Sequence, residues 1–172
     1  MRQKLGIASD IAVIAVAILM AVVVAKNYLL PPPRPSALVK AGDTLSDVAV
    51  LGLRAAHKKH LLVVQKKGCP YCEGSAPLYK ELAQLETSGQ TAVKMVAVFE
   101  EPVDVARSVL LSENVQMEAI GGVSLGKLRI GGTPTLMLVD EGGRVLRVWE
   151  GLLSRKAEEE LKAVLTSGAA AR

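Results

Sequence analysis

Apolar and polar positions follow three different patterns along the chain. Residues 11–25 are fifteen apolar residues in a row, with no polar face. Extended to residues 5–30, the segment reaches the roughly 20 residues a membrane-spanning helix needs. Asp10 then falls near its start, and Lys26 can snorkel at its end. The alternative is a cleaved signal peptide ending near Val23-Val24-Ala25, since such apolar regions run about 7–15 residues. A buried core helix fits poorly, because the segment has no amphipathic face. Residues 31–42 break the pattern. Pro31-Pro32-Pro33-Arg34-Pro35 excludes helix and favours an extended polyproline spacer, which over residues 31–42 reaches about 37 Å.

From residue 43 onward the periods are those of a globular domain. Leu61-Leu62-Val63-Val64-Gln65 predicts a buried strand, ended by Gly68. Leu78, Leu82 and Leu85 recur at helical spacing and predict one helix over residues 72–87, kinked at Pro77. Residues 91–99 predict a strand with Val93, Met95, Ala97 and Phe99 on one face. Residues 102–111 predict a helix opened by Pro102. Residues 135–139 predict a strand, and the turn at Glu141-Gly142-Gly143 returns the chain into residues 144–149 as a hairpin. Ser154 opens a last helix, with Glu158, Glu159 and Glu160 near its favourable N-terminal end. Residues 112–128 read as no more than a short strand and a short helix. This order predicts an α/β domain with a central mixed sheet flanked by helices, preceded by one N-terminal transmembrane helix. The expected division is an anchor or signal segment at 1–30, a proline-rich linker at 31–42 and the folded domain at 43–172.

Charge narrows the function. The net charge is +4, and the basic residues are scattered among acidic ones without aromatic platforms, so nucleic acid is not an expected partner. Arg2 and Lys4 before the apolar run favour a cytoplasmic N-terminus, although Lys26, Arg34 and Lys40 weaken the asymmetry. The domain is therefore expected outside the cytoplasm, tethered to the bilayer. His57 and His60 are expected as solvent-exposed loop residues, Tyr79 and Trp149 as core or rim packing. Asp43 and Asp47 are too isolated for a calcium loop.

The chemistry rests on the two cysteines of the chain, Cys69-Pro70-Tyr71-Cys72. A disulfide scaffold would use more cysteines at wider spacing, and a structural zinc site needs four ligands. A dithiol exchanger needs an attacking thiolate and a second thiol in reach of it, which a C-x-x-C pair at a helix start provides. Cys69 is expected as nucleophile and Cys72 as resolving thiol. Pro70 suits a first helical turn, where its missing N–H costs nothing. No metal site and no cofactor are expected.

A second element, Gly131-Gly132-Thr133-Pro134-Thr135 before a strand, completes a resemblance to the thioredoxin superfamily. The resemblance implies that Thr133-Pro134 is a cis bond facing the cysteines and binding substrate backbone. It also matches Pro77 to the family's helix-kinking proline. Ala41-Gly42-Asp43-Thr44-Leu45 and the hairpin at 136–145 resemble the TlpA-type, membrane-anchored branch. Two positions depart from the pattern. Gly68 replaces an aromatic before the first cysteine, and Val63 replaces the buried acid that assists the resolving cysteine, leaving Glu73, Lys67 or water for that task.

The resemblance implies a thiol–disulfide oxidoreductase for exported proteins, with protein disulfide or dithiol substrates in the periplasm. A membrane electron donor or acceptor would recycle it. Pro-Tyr between the cysteines is typical of glutaredoxins, at about −200 to −230 mV, and anchored relatives commonly reduce substrates such as apocytochrome c thiols. Reductase or isomerase is thus expected over strong oxidant. The alternative is a soft-metal protein holding copper(I) on the same cysteines.

Overall fold

The computed structural model describes residues 14, 16–20, 38–45 and 58–167. The chain forms two units, residues 1–36 and 37–172. In the first, residues 14 and 16–20 are helical with exposed apolar side chains. No helix among the described residues is long and apolar enough to cross a membrane. The rest of the expected anchor, the linker up to residue 37, His57 and Asp47 lie outside the described residues.

The second unit follows the order β1 (Lys59–Gln65), α1 (Pro70–Gly74), α2 (Ala76–Thr87), β2 (Lys94–Phe99), α3 (Val103–Ser112), β3 (Glu118–Ile120), β4 (Thr135–Asp140), β5 (Val145–Glu150) and α4 (Arg155–Ser167). The five-stranded sheet runs β3-β2-β1-β4-β5. β1 pairs parallel with β2 and β2 parallel with β3, while β4 is antiparallel to both β1 and β5. The expected mixed sheet and hairpin are therefore present. The central strands β1, β2 and β4 are buried on both faces. That burial explains why they read as continuous runs of Val, Leu and Met rather than alternating ones.

Both parallel crossovers, β1 to β2 and β2 to β3, step toward the same sheet edge. With the right-handed sense that such connections adopt, α2 and α3 fall on one face. Leu78, Tyr79 and Leu82 of α2, Ala106 and Leu110 of α3, and Leu161 and Leu165 of α4 pack there against Leu61, Val63, Met95, Ala97, Phe99, Leu136 and Leu138. Extended and turn segments contribute to the other face, through Val39, Leu45, Val123 and Leu128. The 38–45 segment is stitched to the hairpin by Gly42 N–H to the Val145 carbonyl (2.8 Å) and Val145 N–H to the Asp43 carbonyl (2.8 Å). Asp43 also pairs with Arg129 at 2.9 Å, a structural role.

Three expectations need correction. His60 is not an exposed loop residue: it lies within β1 and is 1% exposed, because the strand begins at Lys59, two residues earlier than the apolar run. The helix over 72–87 is two helices. Pro77 cannot donate to the Glu73 carbonyl and its ring crowds that turn, so α1 ends at Gly74 and α2 starts at Ala76. The Ser75 hydroxyl caps the break by donating to the Tyr71 carbonyl at 2.8 Å. Residues 112–128 supply β3 but no helix, only turns at 125–129.

Candidate functional site

Strand β1 delivers the chain to the carboxyl end of the sheet, where Gly68 turns it with φ +69° into Cys69. Cys69 is the N-cap of α1 and is half-buried, whereas Cys72, one turn on, is 2% exposed. The two sulfurs form a disulfide. Pro70 sits in the first turn as expected, and Tyr71 is 64% exposed beside it. The Cys72 N–H donates to Cys69 Sγ at 3.2 Å, the placement that stabilises a thiolate once the bond is reduced.

The loop before β4 closes the site from the other side. Thr133-Pro134 is a cis peptide, as the resemblance implied. Thr133 is half-buried and Pro134 buried. The Thr133 hydroxyl lies 3.5 Å from Cys69 Sγ and its carbonyl oxygen 3.4 Å. The loop itself is held by Thr135 Oγ1 donating to the Gly132 carbonyl (2.7 Å) and by Gly151 N–H donating to the Pro134 carbonyl (2.8 Å). The structure thus brings together Cys69, Cys72, Pro70, Tyr71, Thr133 and Pro134 at one end of the sheet. Leu152, exposed on the far side of Gly74, adds an apolar rim residue.

Of the groups expected to assist Cys72, Glu73 and Lys67 are both solvent-exposed. Val63 is fully buried in the helix-side core. Glu101, just past β2, accepts the Lys67 N–H on Oε1 at 3.0 Å, two residues before Cys69. Behind the site, burial pushes the Tyr79 hydroxyl well above the usual tyrosine range, so it stays protonated. Among the described residues no group of three or more His, Cys, Asp or Glu is arranged to hold a metal ion.

The chain matches the family model of the thioredoxin-like domain over residues 47–168. It belongs to the thioredoxin-like domain family. Solved structures agree on the fold. A candidate thiol:disulfide interchange protein DsbE from Chlorobium tepidum is 19% identical with a TM-score of 0.58, over 77% of this chain and 99% of that one. A thiol-disulfide isomerase from Corynebacterium glutamicum is 16% identical with a TM-score of 0.52, over 78% and 97%. The thioredoxin domain of a thiol-disulfide oxidoreductase from Bacteroides vulgatus is 13% identical with a TM-score of 0.55, over 75% and 99%. No curated protein matches the chain. This thioredoxin-like domain joins the fold to a redox-capable cysteine pair, the combination of a thiol–disulfide oxidoreductase.

Proposed function

We propose that the protein exchanges disulfides with exported proteins, Cys69 attacking and Cys72 resolving. The observation that carries this reading is the unequal exposure of a bonded pair: Cys69 reaches solvent beside Thr133, and Cys72 is buried behind it. In the reducing direction the Cys69 thiolate attacks one sulfur of a substrate disulfide, and the other leaves as thiolate. Cys72 then gives up its proton and attacks Cys69 Sγ, forming the Cys69–Cys72 disulfide and releasing the second substrate thiol. Two electrons pass to the substrate, and a membrane dithiol donor restores the pair. The oxidising direction is the same path reversed. Pro-Tyr between the cysteines favours reductase or isomerase over strong oxidant, and reduction of apocytochrome c thiols is the substrate class in view.

Thr133 and Pro134 offer a backbone edge to substrate next to Cys69. The apolar segment within residues 5–30 serves as a bilayer anchor with the N-terminus inside, and residues 31–42 space the domain from the membrane on the outer side. A cleaved signal would export the same domain. Reduction of a disulfide-bonded protein by dithiothreitol tests the activity. The wild-type chain should accelerate it, and Cys69→Ser should not. Equal rates for the two would refute the proposal.

A further inference from the structure

The loop that reaches Cys69 has little of its own to hold it. Gly131 and Gly132 precede Thr133, both are exposed, and a Cβ on Gly132 would meet nothing within 4 Å. Two successive glycines leave the backbone a wide range of conformations unless contacts from outside the loop restrict it. Yet Thr133 stands with its hydroxyl 3.5 Å and its carbonyl oxygen 3.4 Å from Cys69 Sγ. On the β4 side the hold is local, Thr135 Oγ1 donating to the Gly132 carbonyl at 2.7 Å. On the other side it comes from a distant part of the chain.

Arg129, four residues before Thr133, has φ +54°. That left-handed conformation is usual for Gly and tolerable for Asn, but strained for Arg, and such strain persists only where surrounding contacts fix it. Residues 38–45 supply those contacts. The Val39 N–H donates to the Arg129 carbonyl at 2.8 Å, and Arg129 Nη2 donates to Asp43 Oδ2 at 2.9 Å. Asp43 is itself set in place, accepting the Lys40 N–H on Oδ2 at 3.2 Å while its carbonyl accepts the Val145 N–H. Leu38 rests on the glycine pair: a Cβ on Gly131 would stand 3.3 Å from its Cδ1. Asp43 and Arg129 are both partly buried, whereas Lys40 and Lys127, the neighbouring charged side chains of the two segments, are exposed.

We propose that residues 38–45 act as a strap that positions the substrate loop, with Asp43 and Arg129 as positioning residues for the Cys69 thiolate. The ion pair and the Val39 bond fix Arg129, Leu38 limits Gly131, and Thr133 is thereby kept at the sulfur. Neither charged residue touches the reacting atoms; both act through Thr133. When the pair is broken, Thr133 withdraws and takes from Cys69 both its hydroxyl donor and its carbonyl acceptor. The donor weighs more, since a hydrogen bond to a charged sulfur is stronger than one from a neutral thiol. The thiolate is then disfavoured. An ion pair exposed to this degree adds little to stability, so its loss is read at Cys69 rather than in the fold. This inference rests on the reading of Cys69 as attacking thiolate and adds residues that set its reactivity.

The test measures alkylation of Cys69 by iodoacetamide across pH, in the reduced full-length chain carrying Cys72→Ser so that one thiol reports. Asp43→Ala should slow alkylation by about threefold or more near neutral pH, the deficit closing toward alkaline pH as the thiol ionises regardless. Arg129→Ala should do the same, and Arg129→Lys, which keeps a cation for Asp43, should recover part of the rate. The deciding comparison is made in Thr133→Val. There Asp43→Ala should slow alkylation no further, because the donor it positions is already gone. Wild-type pH profiles in Asp43→Ala and Arg129→Ala would overturn the proposal. Equal slowing with and without the Thr133 hydroxyl would also overturn it, marking a general loosening of the domain. An ordinary thiol pKa of about 8.5 for Cys69, with Asp43, Arg129 and Thr133 all intact, would instead refute its assignment as the attacking thiolate.

Discussion

Cys69 Sγ has two donors within reach, the Cys72 N–H and the Thr133 hydroxyl, and both favour its thiolate. A hydrogen bond to a charged group contributes about 1.5–3 kcal/mol when buried, and less at a half-buried sulfur. Thr133→Val keeps the shape and removes one donor. The Cys69 pKa should rise and its alkylation by iodoacetamide near neutral pH should slow by about tenfold or less. An unchanged alkylation profile would remove Thr133 from the thiolate's environment. Glu113 offers a second residue-scale test. Burial, with Glu73 adding and Lys80 opposing, raises its carboxyl above the ordinary range. A carboxyl raised on folding supports the folded state most at acid pH, and that support is lost as pH rises through its folded pKa. Glu113→Gln should therefore raise Tm by about 1–2 °C near neutral pH, a small gain because the site is half in solvent. The gain should vanish below the ordinary carboxylate range, and thermal melts across pH would show it. Single residues were the least legible part of the sequence. Cys69 and Cys72 stood out because their spacing is itself the chemistry. Glu101 did not, because its hold on the Lys67 N–H depends on β2 ending beside the loop before Cys69, a proximity no local spacing encodes. His60 misled because a Lys-rich flank concealed that β1 starts at Lys59.

Elements were read best where burial is two-sided or strictly periodic. β1, β2 and β4 announced themselves as apolar runs, and the Gly142-Gly143 turn declared the β4–β5 hairpin. The division between α1 and α2 was half visible: Pro77 marked the place, but not that Ser75 would leave both helices, its hydroxyl donating to the Tyr71 carbonyl of α1 and capping no N–H of α2. β3 has three residues and draws its stability from pairing with β2 rather than from its own pattern. The link from β3 back to Glu101 depends on Gly121, where an added Cβ meets backbone atoms that cannot turn aside. Gly121→Ala should lower stability by about 1–3 kcal/mol in denaturant titrations. Gly126→Ala should not, since only the Ser124 hydroxyl lies near its Cβ position. Similar midpoints for the two would show that the turn over Glu101 is looser than its geometry indicates.

At the scale of the whole molecule, one sheet presents its carboxyl end as the working surface. β1 leads into Cys69, the loop before β4 brings Thr133-Pro134 across from it, and the chain leaving β2 passes Glu101. The fold class was legible because the order of strands and helices, the C-x-x-C pair and the Thr-Pro before a strand agree with one another. The placement of α2 and α3 on one face was not, since it follows from the direction of two crossovers rather than from any segment. The anchor proposal is tested separately, by a phosphatase reporter joined after Arg172. It should be active only if the C-terminus is exported, and a silent phosphatase with an active cytoplasmic reporter at the same junction would reverse the topology. The division of labour between the cysteines is the central claim, and trapping tests it most directly. Cys72→Ser, mixed with a disulfide-bonded protein and quenched with acid, should accumulate a covalent complex through Cys69 that dithiothreitol dissolves. Cys69→Ser should accumulate none. Complexes formed by Cys69→Ser, or by neither variant, would contradict the account.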